Sequence, residues 1–218
     1  MARGRKNTYI RTHTSRDMKL LDQLARTGVC TEQQALKYCK LTTDRLSRLK
    51  NSDYIKVENK ILNGQSVPIV KLSDFGQKWY RENFKVISYP HIQDGQLPHD
   101  LKHTEMYYRL IPDEAKHSWI NENIVIQNIY ARDPSKRGHL TTCVDAVVRV
   151  PISYFRTLQS SKNFRTFGDR DDYERISSTN GGYVDIAVES RGSSYTDEIM
   201  EEKYEIAEEY GCSGMLAI

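Results

Sequence analysis

No stretch of this sequence approaches the run of about 20 apolar residues that a membrane-spanning helix requires. Cysteine is scarce: Cys30, Cys39, Cys143 and Cys212 form no Cys-x-x-Cys pair and no zinc-ligand spacing. They give no disulfide framework or cysteine metal site to argue from, and in a reducing compartment they serve as small buried side chains. Internal repeats and low-complexity tracts are also missing. The opening residues, MARGRKNTYIRTHTSR, are basic but lack the apolar core of a secretory signal. Cytoplasm is therefore the expected location, with no membrane partner.

What the chain does have is charge, unevenly spread. The net charge of +3 over 218 residues hides an asymmetry. Through Lys85 there are 18 Lys and Arg against 8 Asp and Glu, whereas the remainder holds 14 against 21. A basic first third joined to an acidic remainder implies two units with different tasks, the basic one suited to nucleic acid. The length has room for one large or two small domains with buried cores.

Residues 1–14 carry Arg3, Arg5, Lys6 and Arg11 among few apolar residues. They read either as a solvated tail or as a basic arm reaching DNA phosphates or a minor groove. From 15 to 27 a helix is expected, with Thr14 and Asp17 in capping-box register and Met18, Leu21 and Leu24 as its apolar stripe. Gly28 ends it. Thr31, with Gln34 at the reciprocal position, caps a second helix, and Thr42 or Thr43 caps a third that turns Leu46 and Leu49 inward. Strand-like runs at 54–58 and 68–72 flank Asn63-Gly64, a hairpin signal. Ser73 then caps a helix with Phe75, Trp79, Tyr80 and Phe84. Three short capped helices with a tight second turn match a helix-turn-helix. The string VKLSDFGQKWY resembles the closing segment of winged-helix domains, so residues 15–85 are expected to form a winged helix-turn-helix. On its third helix Thr43, Asp44, Arg45, Ser47, Arg48 and Lys50 lie away from Leu46 and Leu49, where they can meet base edges or phosphates of double-stranded DNA. Lys56, Lys60 and Gln65 belong to the wing. A winged helix can equally serve as a protein-docking module, with these charges merely solvated.

A linker is expected at 86–98, where Pro90, Gly95 and Pro98 fall. The second unit, 99–218, opens with a helix whose His99 and His103 stand four apart, a spacing open to a metal or to ordinary packed histidines. Residues 119–130 fit a strand or a buried helix, with Glu122 just before the densest apolar part. Residues 143–150 read as a strand apolar on both faces apart from Asp145 and Arg149. Between 152 and 181 an insertion interleaves Arg156, Lys162, Arg165, Arg170 and Arg175 with Tyr154, Phe155, Phe164, Phe167 and Tyr173. That pattern suits either an ordered hairpin or loop, or a track for a nucleic-acid strand. Residues 183–189 alternate as a strand with Asp185 and Glu189 on one face. Burying acids there requires water, a cation or a base beside them. A turn is expected at Gly192-Ser193-Ser194, then a helix from about 196 to 210 that sends Lys203 out among Ile199, Met200, Ile206 and Ala207. A last strand follows at 215–218.

An aspartate on one strand and an acid on the next resembles the PD-(D/E)xK nucleases, which implies a restriction-endonuclease-like α/β domain. By that resemblance Asp145 and Glu189 hold Mg²⁺ or Mn²⁺, and Glu122 matches the acid on the first core helix. The base position reads Arg191, and arginine stabilises charge but does not give up its proton. Lys203 stands in for it, as some members take the lysine from the following helix; no Pro-Asp dipeptide precedes the site. The order of winged helix, His99-Asp100-Leu101, strand-borne aspartate and VES-RGSS…EKY is also similar to the replication-relaxation family of plasmids, phages and mobile elements. That resemblance implies a DNA-binding protein acting in replication, transfer or regulation, many relatives lacking a full catalytic set. The alternatives are a Mg²⁺-dependent endonuclease, and a docking protein with no DNA. A homodimer is a further option. Without a metal, Lys203 and the acids would instead form a buried ion pair.

Overall fold

The computed structural model describes residues 9–84, 88–192 and 195–218. Arg3, Arg5 and Lys6 of the basic arm, residue 85 at the end of the expected winged helix, residues 86 and 87 at the head of the expected linker, and Ser193 and Ser194 of the expected turn lie outside these. The protein is mixed α/β and divides into two units, Met1–Tyr108 and Arg109–Ile218. Among the described residues no helix is long and apolar enough to cross a membrane.

In the first unit, α1 (Ser15–Thr27), α2 (Glu32–Cys39) and α3 (Thr43–Asn51) start where their caps predict. Thr14 and Asp17 form a reciprocal capping box, as do Thr31 and Gln34, and Thr42 caps α3. Each cap satisfies helix-end amides that have no partner within the helix. The strand β1 (Cys30–Thr31) pairs with β3 (Gln65–Leu72), which pairs along its whole length with β2 (Ile55–Leu62). The hairpin is longer than its apolar runs alone suggest, because Asn63 and Gly64 both take positive φ at its tip. Leu20, Leu21, Leu24, Leu49, Ile55 and Ile69 fill the core.

Helix α4 (Asp74–Phe84) explains the glycine in VKLSDFGQKWY. Ser73 Oγ accepts the Gly76 amide at 2.9 Å and donates to the Asp53 carbonyl. A Cβ on Gly76 would stand 2.0 Å from the Tyr54 carbonyl oxygen, so no larger side chain fits. Helix α5 (Leu97–Arg109) falls almost wholly in the first unit, whereas the sequence pattern opened the second unit at 99. A buried polar net fastens it there. Thr104 Oγ1 donates to the Val29 carbonyl at 2.5 Å and lies 2.8 Å from Thr27 Oγ1, and Tyr108 Oη donates to Gln23 Oε1 at 3.1 Å. His103 is buried in this helix and His99 half-buried.

The second unit contains, among the described residues, a sheet of five strands in the order β4 (Ile120–Asn121), β5 (Ala146–Pro151), β7 (Tyr183–Glu189), β8 (Gly214–Ala217), β6 (Phe164–Thr166). Residues 119–130 resolve into β4 (Ile120–Asn121) and α6 (Glu122–Arg132), with Asn121 as cap. β5 (Ala146–Pro151) begins after Asp145, so that residue is not on the strand where the pattern put it. The stretch 152–181 is neither loop nor simple hairpin. It forms α7 (Ile152–Leu158), β6 (Phe164–Thr166) and α8 (Arg170–Thr179), and β6 joins the sheet beside β8. Phe155, Phe167 and Tyr173 are buried, with Phe155 packed against Phe164 and Tyr173. Arg156, Arg165 and Arg175 pair with Glu174, Glu201 and Asp172. Aromatics that fill a core cannot also stack on bases, so the alternative of a nucleic-acid track keeps only the half-buried Tyr154 and Phe164.

β7 (Tyr183–Glu189) lies between β5, antiparallel, and β8 (Gly214–Ala217), parallel. The parallel step is bridged by α9 (Asp197–Tyr210), capped by Thr196 and ended by Gly211 at φ 102°. The two-residue alternation holds only at the start of β7. From Ile186 onward both faces are buried, as befits an interior strand.

Candidate functional site

The register between β5 and β7 decides where the acids go. Ala146 pairs with Val188, so one step further sets Asp145 opposite Glu189 at the same end of the sheet. The two strand ends are cross-tied: the Asp145 amide donates to Glu189 Oε2 at 3.2 Å, and the amide of the next residue, Ser190, donates to Asp145 Oδ2 at 2.7 Å. From α9, Lys203 sits one turn beyond Met200 and is 4 % exposed, so its stem packs among the apolar residues of that face. Its Nζ lies 3.0 Å from Glu189 Oε1, donates to the Cys143 carbonyl at 2.5 Å and stands 5.0 Å above the Tyr195 ring.

Electrostatics at this cluster are poorly balanced. Burial first, and then the charge of Asp145, push the Glu189 carboxyl up to about 7 against the opposing pull of Lys203. Burial draws the Lys203 ammonium down, but Glu189 and Asp145 outweigh it and hold it above the ordinary lysine value. Burial and the nearby Glu189 push the Tyr195 phenol up to about 12. Lys203 is therefore a fixed cation near neutral pH, able to stabilise negative charge and unable to accept a proton. Glu189 is the group poised to exchange one.

The remaining expected site residues divide. Arg191 is exposed, with Nη2 3.4 Å from Asp197 Oδ1. Glu122, exposed on the first turn of α6, is felt by the Cys143 thiol but stands at the margin. Asp185 lies on β7 with Glu189 yet faces solvent, where Arg149 grips it through two hydrogen bonds of 2.9 Å. Three contributors escape sequence reasoning: Tyr195, the Ser190 amide and the Cys143 carbonyl. Backbone groups carry no sequence signature, and Tyr195 is separated from Glu189 by the expected turn.

In the first unit, Thr43, Ser47 and Lys50 are exposed on α3 and Lys56 on β2. Arg48 is paired with Asp44 at 2.9 Å, and Lys60 with Asp94 at 2.7 Å. Arg45 points elsewhere. Its Nε and Nη2 donate to the two oxygens of Asp17 at 2.9 and 2.5 Å, and Nη2 also donates to the Thr12 carbonyl at 2.8 Å. Burial acts to raise the Asp17 carboxyl, but the hydrogen bonds from Arg45 and Thr14 prevail and hold it below the usual carboxylate range.

No protein-family model, curated protein or solved structure matches this chain. The functional reading therefore rests on its own residues.

Proposed function

We propose that the chain is a DNA-binding protein of a mobile genetic element, acting in replication, transfer or regulation. On this reading the first unit is a winged helix-turn-helix that docks α3 in the major groove of duplex DNA. The second is a restriction-endonuclease-like domain. The observation that carries the reading is the element order α1-α2-α3-hairpin-α4. It leaves Thr43, Ser47 and Lys50 exposed along one side of α3, with Lys56 on the hairpin that follows. Short polar and cationic side chains at that spacing suit phosphates and base edges. The biological setting rests only on the resemblance of the short motifs His99-Asp100-Leu101 and VES-RGSS…EKY to replication-relaxation proteins, no family model matching the chain. In a gel-shift assay on duplex DNA, replacing Arg48, Lys50 and Lys56 together by Gln should abolish the shifted band while the melting temperature stays within a few degrees. Undiminished binding by that variant would sink the assignment of this face.

A second reading is favoured by a separate observation, the convergence of Asp145, Glu189 and Lys203 at one end of the sheet. It adds metal-dependent cleavage of DNA. The residues fit a hard divalent cation. Two carboxylates oppose each other with one ammonium between two negative charges, and Glu189 Oε1 is buried with the charge of Lys203 as its nearest compensation. Asp145 and Glu189 would hold Mg²⁺ or Mn²⁺, which when bound supplies a water of lowered pKa and a counter-charge for phosphate. Lys203 would hold charge at the phosphate oxygens, and Tyr195 shields the ammonium from water. Supercoiled plasmid with Mg²⁺ should be nicked by the wild type and left intact by Asp145→Ala. A wild type that binds DNA yet leaves plasmid intact at every Mg²⁺ and Mn²⁺ concentration removes this second reading and leaves the first standing.

A further inference from the structure

The β2–β3 hairpin of the first unit is held on one face and bare toward the tip of the other. In its register Ile61 stands opposite Ser66, Asn59 opposite Pro68 and Ile55 opposite Leu72. Opposed residues point to the same side and successive residues to opposite sides, so all of these share one face. Leu62, Val67 and Ile69 lie on the other face, in a cluster with Val29, Ile92, Leu97 and Leu101. Lys60 reinforces that side, its Nζ 2.7 Å from Asp94 Oδ2. Leu62 is the last residue of β2, so this support runs to the tip. The first face changes along its length. At its base Ile55 and Leu72 are buried, whereas toward the tip Asn59 and Ser66 are exposed. Ile61 is 71 % exposed, more than any other large apolar side chain among the described residues.

A single exposed aliphatic needs no partner in itself. Ile61 differs in its setting, because it tops a supported ribbon with an amide two residues back on the same face. The ribbon also has a telling reach. The Tyr54 amide donates to the Leu49 carbonyl at 3.0 Å, which joins the base of β2 to the end of α3. From Ile55 to Ile61 the strand runs about 20 Å. Half a turn of B-form DNA, about 17 Å, separates a major groove from the minor groove beside it. Lys50 and Lys56, both exposed, flank the junction of helix and strand. Duplex DNA suits this surface better than a protein does. Through Lys85 the chain carries 18 Lys and Arg against 8 Asp and Glu, and one aliphatic among polar neighbours is too small an apolar area to hold a protein partner.

We infer, on the reading that α3 engages duplex DNA, that Asn59 and Ile61 set sequence preference from the neighbouring minor groove, Ile61 as an apolar wedge that kinks the duplex. The floor of that groove at A·T pairs offers only acceptors, which the Asn59 amide meets as a donor. Pyrimidine–purine steps part most easily, and an apolar side chain entering one unstacks it. Parted bases push back on the wedge, so it needs a rigid mount. The packing of Leu62 and Val67 and the Lys60–Asp94 pair supply that mount.

The test compares, by fluorescence anisotropy, two duplexes of equal length and base composition. One has a central TpA step, and the other sets the same bases in an A-tract without it. The wild type should bind the TpA duplex roughly tenfold tighter, and a fluorescent adenine analogue beside the step should brighten on binding. Ile61→Ser should abolish both the preference and the brightening. The melting temperature should hold, since the side chain is exposed, and so should the salt dependence, since no phosphate contact is lost. Asn59→Ala should weaken both duplexes alike, roughly fivefold, the scale of one net hydrogen bond. A preference that survives Ile61→Ser, or that the wild type never shows, overturns the wedge while leaving α3 docked. An Ile61→Ser change in the sedimentation of the free protein, with duplex binding unaltered, assigns the face to a second copy and overturns it too. A wild type that binds neither duplex at low salt overturns the DNA reading as well.

Discussion

Asp17 in the first unit and Glu189 in the second are both fully buried carboxylates facing a basic side chain, yet they behave in opposite ways. Asp17 receives a two-pronged arginine and both the amide and the hydroxyl of Thr14, and its pKa falls. Glu189 receives one amide, the Tyr195 hydroxyl and one ammonium shared with the Cys143 carbonyl, has Asp145 as a like-charged neighbour, and its pKa rises to about 7. The difference lies in the number of donors aimed at each carboxylate and in the sign of the nearest second charge. A carboxylate with a full set of donors is a structural tie. One that is buried, under-supplied and beside another acid stores an imbalance that a cation or a proton can relieve, which is the mark of a working group.

The largest effect should come from removing the cation beside Glu189. Lys203→Met removes the ammonium paired with Glu189. It should cost about 3–5 kcal/mol, or roughly 6–20 °C in the melting temperature of the 218-residue chain. Asp145→Asn removes the like charge and should leave stability unchanged or higher. A Lys203→Met protein that melts with the wild type would show that the ammonium contributes nothing to the fold.

The pH dependences should run in opposite directions. Glu189 takes up a proton more readily folded than unfolded, between its ordinary value near 4.5 and about 7. Its contribution is therefore full below that window and is lost as pH rises through it, at up to about 1.4 kcal/mol per pH unit. Lys203 stays charged across the window. Asp17 behaves in reverse: its contribution is present above the ordinary aspartate value and is lost as pH falls below it. Urea unfolding from pH 3 to 8 should show both trends, with Glu189→Gln erasing the upper one and Asp17→Asn the lower. A carboxyl ¹³C titration of Glu189 with a midpoint near 4.5 would contradict the imbalance directly.

At neutral pH Asp17→Asn should cost less than Lys203→Met, about 1–3 kcal/mol, because Arg45 is partly in water and can hydrate when its partner is neutralised. The smallest effect belongs to the exposed pair on β7. Arg149→Ala should change stability by less than about 1 kcal/mol, since both groups of the Arg149–Asp185 pair already face solvent. A cost matching that of Lys203→Met would mean that exposure does not separate the two acids of this strand.

Much of the fold was legible because local chemistry writes it. Thr14, Thr31, Thr42 and Thr196 each cap the helix that follows, and Asn63-Gly64 turns the hairpin. The inward projection of Lys203 also follows from helical spacing alone. Less legible was the stretch 152–181, whose aromatics look like a stacking surface until a sheet edge and two helices close over them. The Arg45 position misled for a related reason: a pattern shows which face of α3 is polar, not that a buried Asp17 claims the side chain.

Sequence alone was enough to place the starts of the capped helices α1, α2, α3 and α9, the charge asymmetry between the two units, and the presence of acids and a lysine at strand and helix positions able to meet. Periodicity and capping are properties of neighbours along the chain, so a sequence records them. Only the tertiary structure decided which acid meets which base. Asp185 and Glu189 share one face of one strand, yet the register with β5 and the path of α9 leave the first in solvent with Arg149 and enclose the second with Lys203 and Asp145. Charge balance depends on distance and burial, and both are set by segments far apart in sequence.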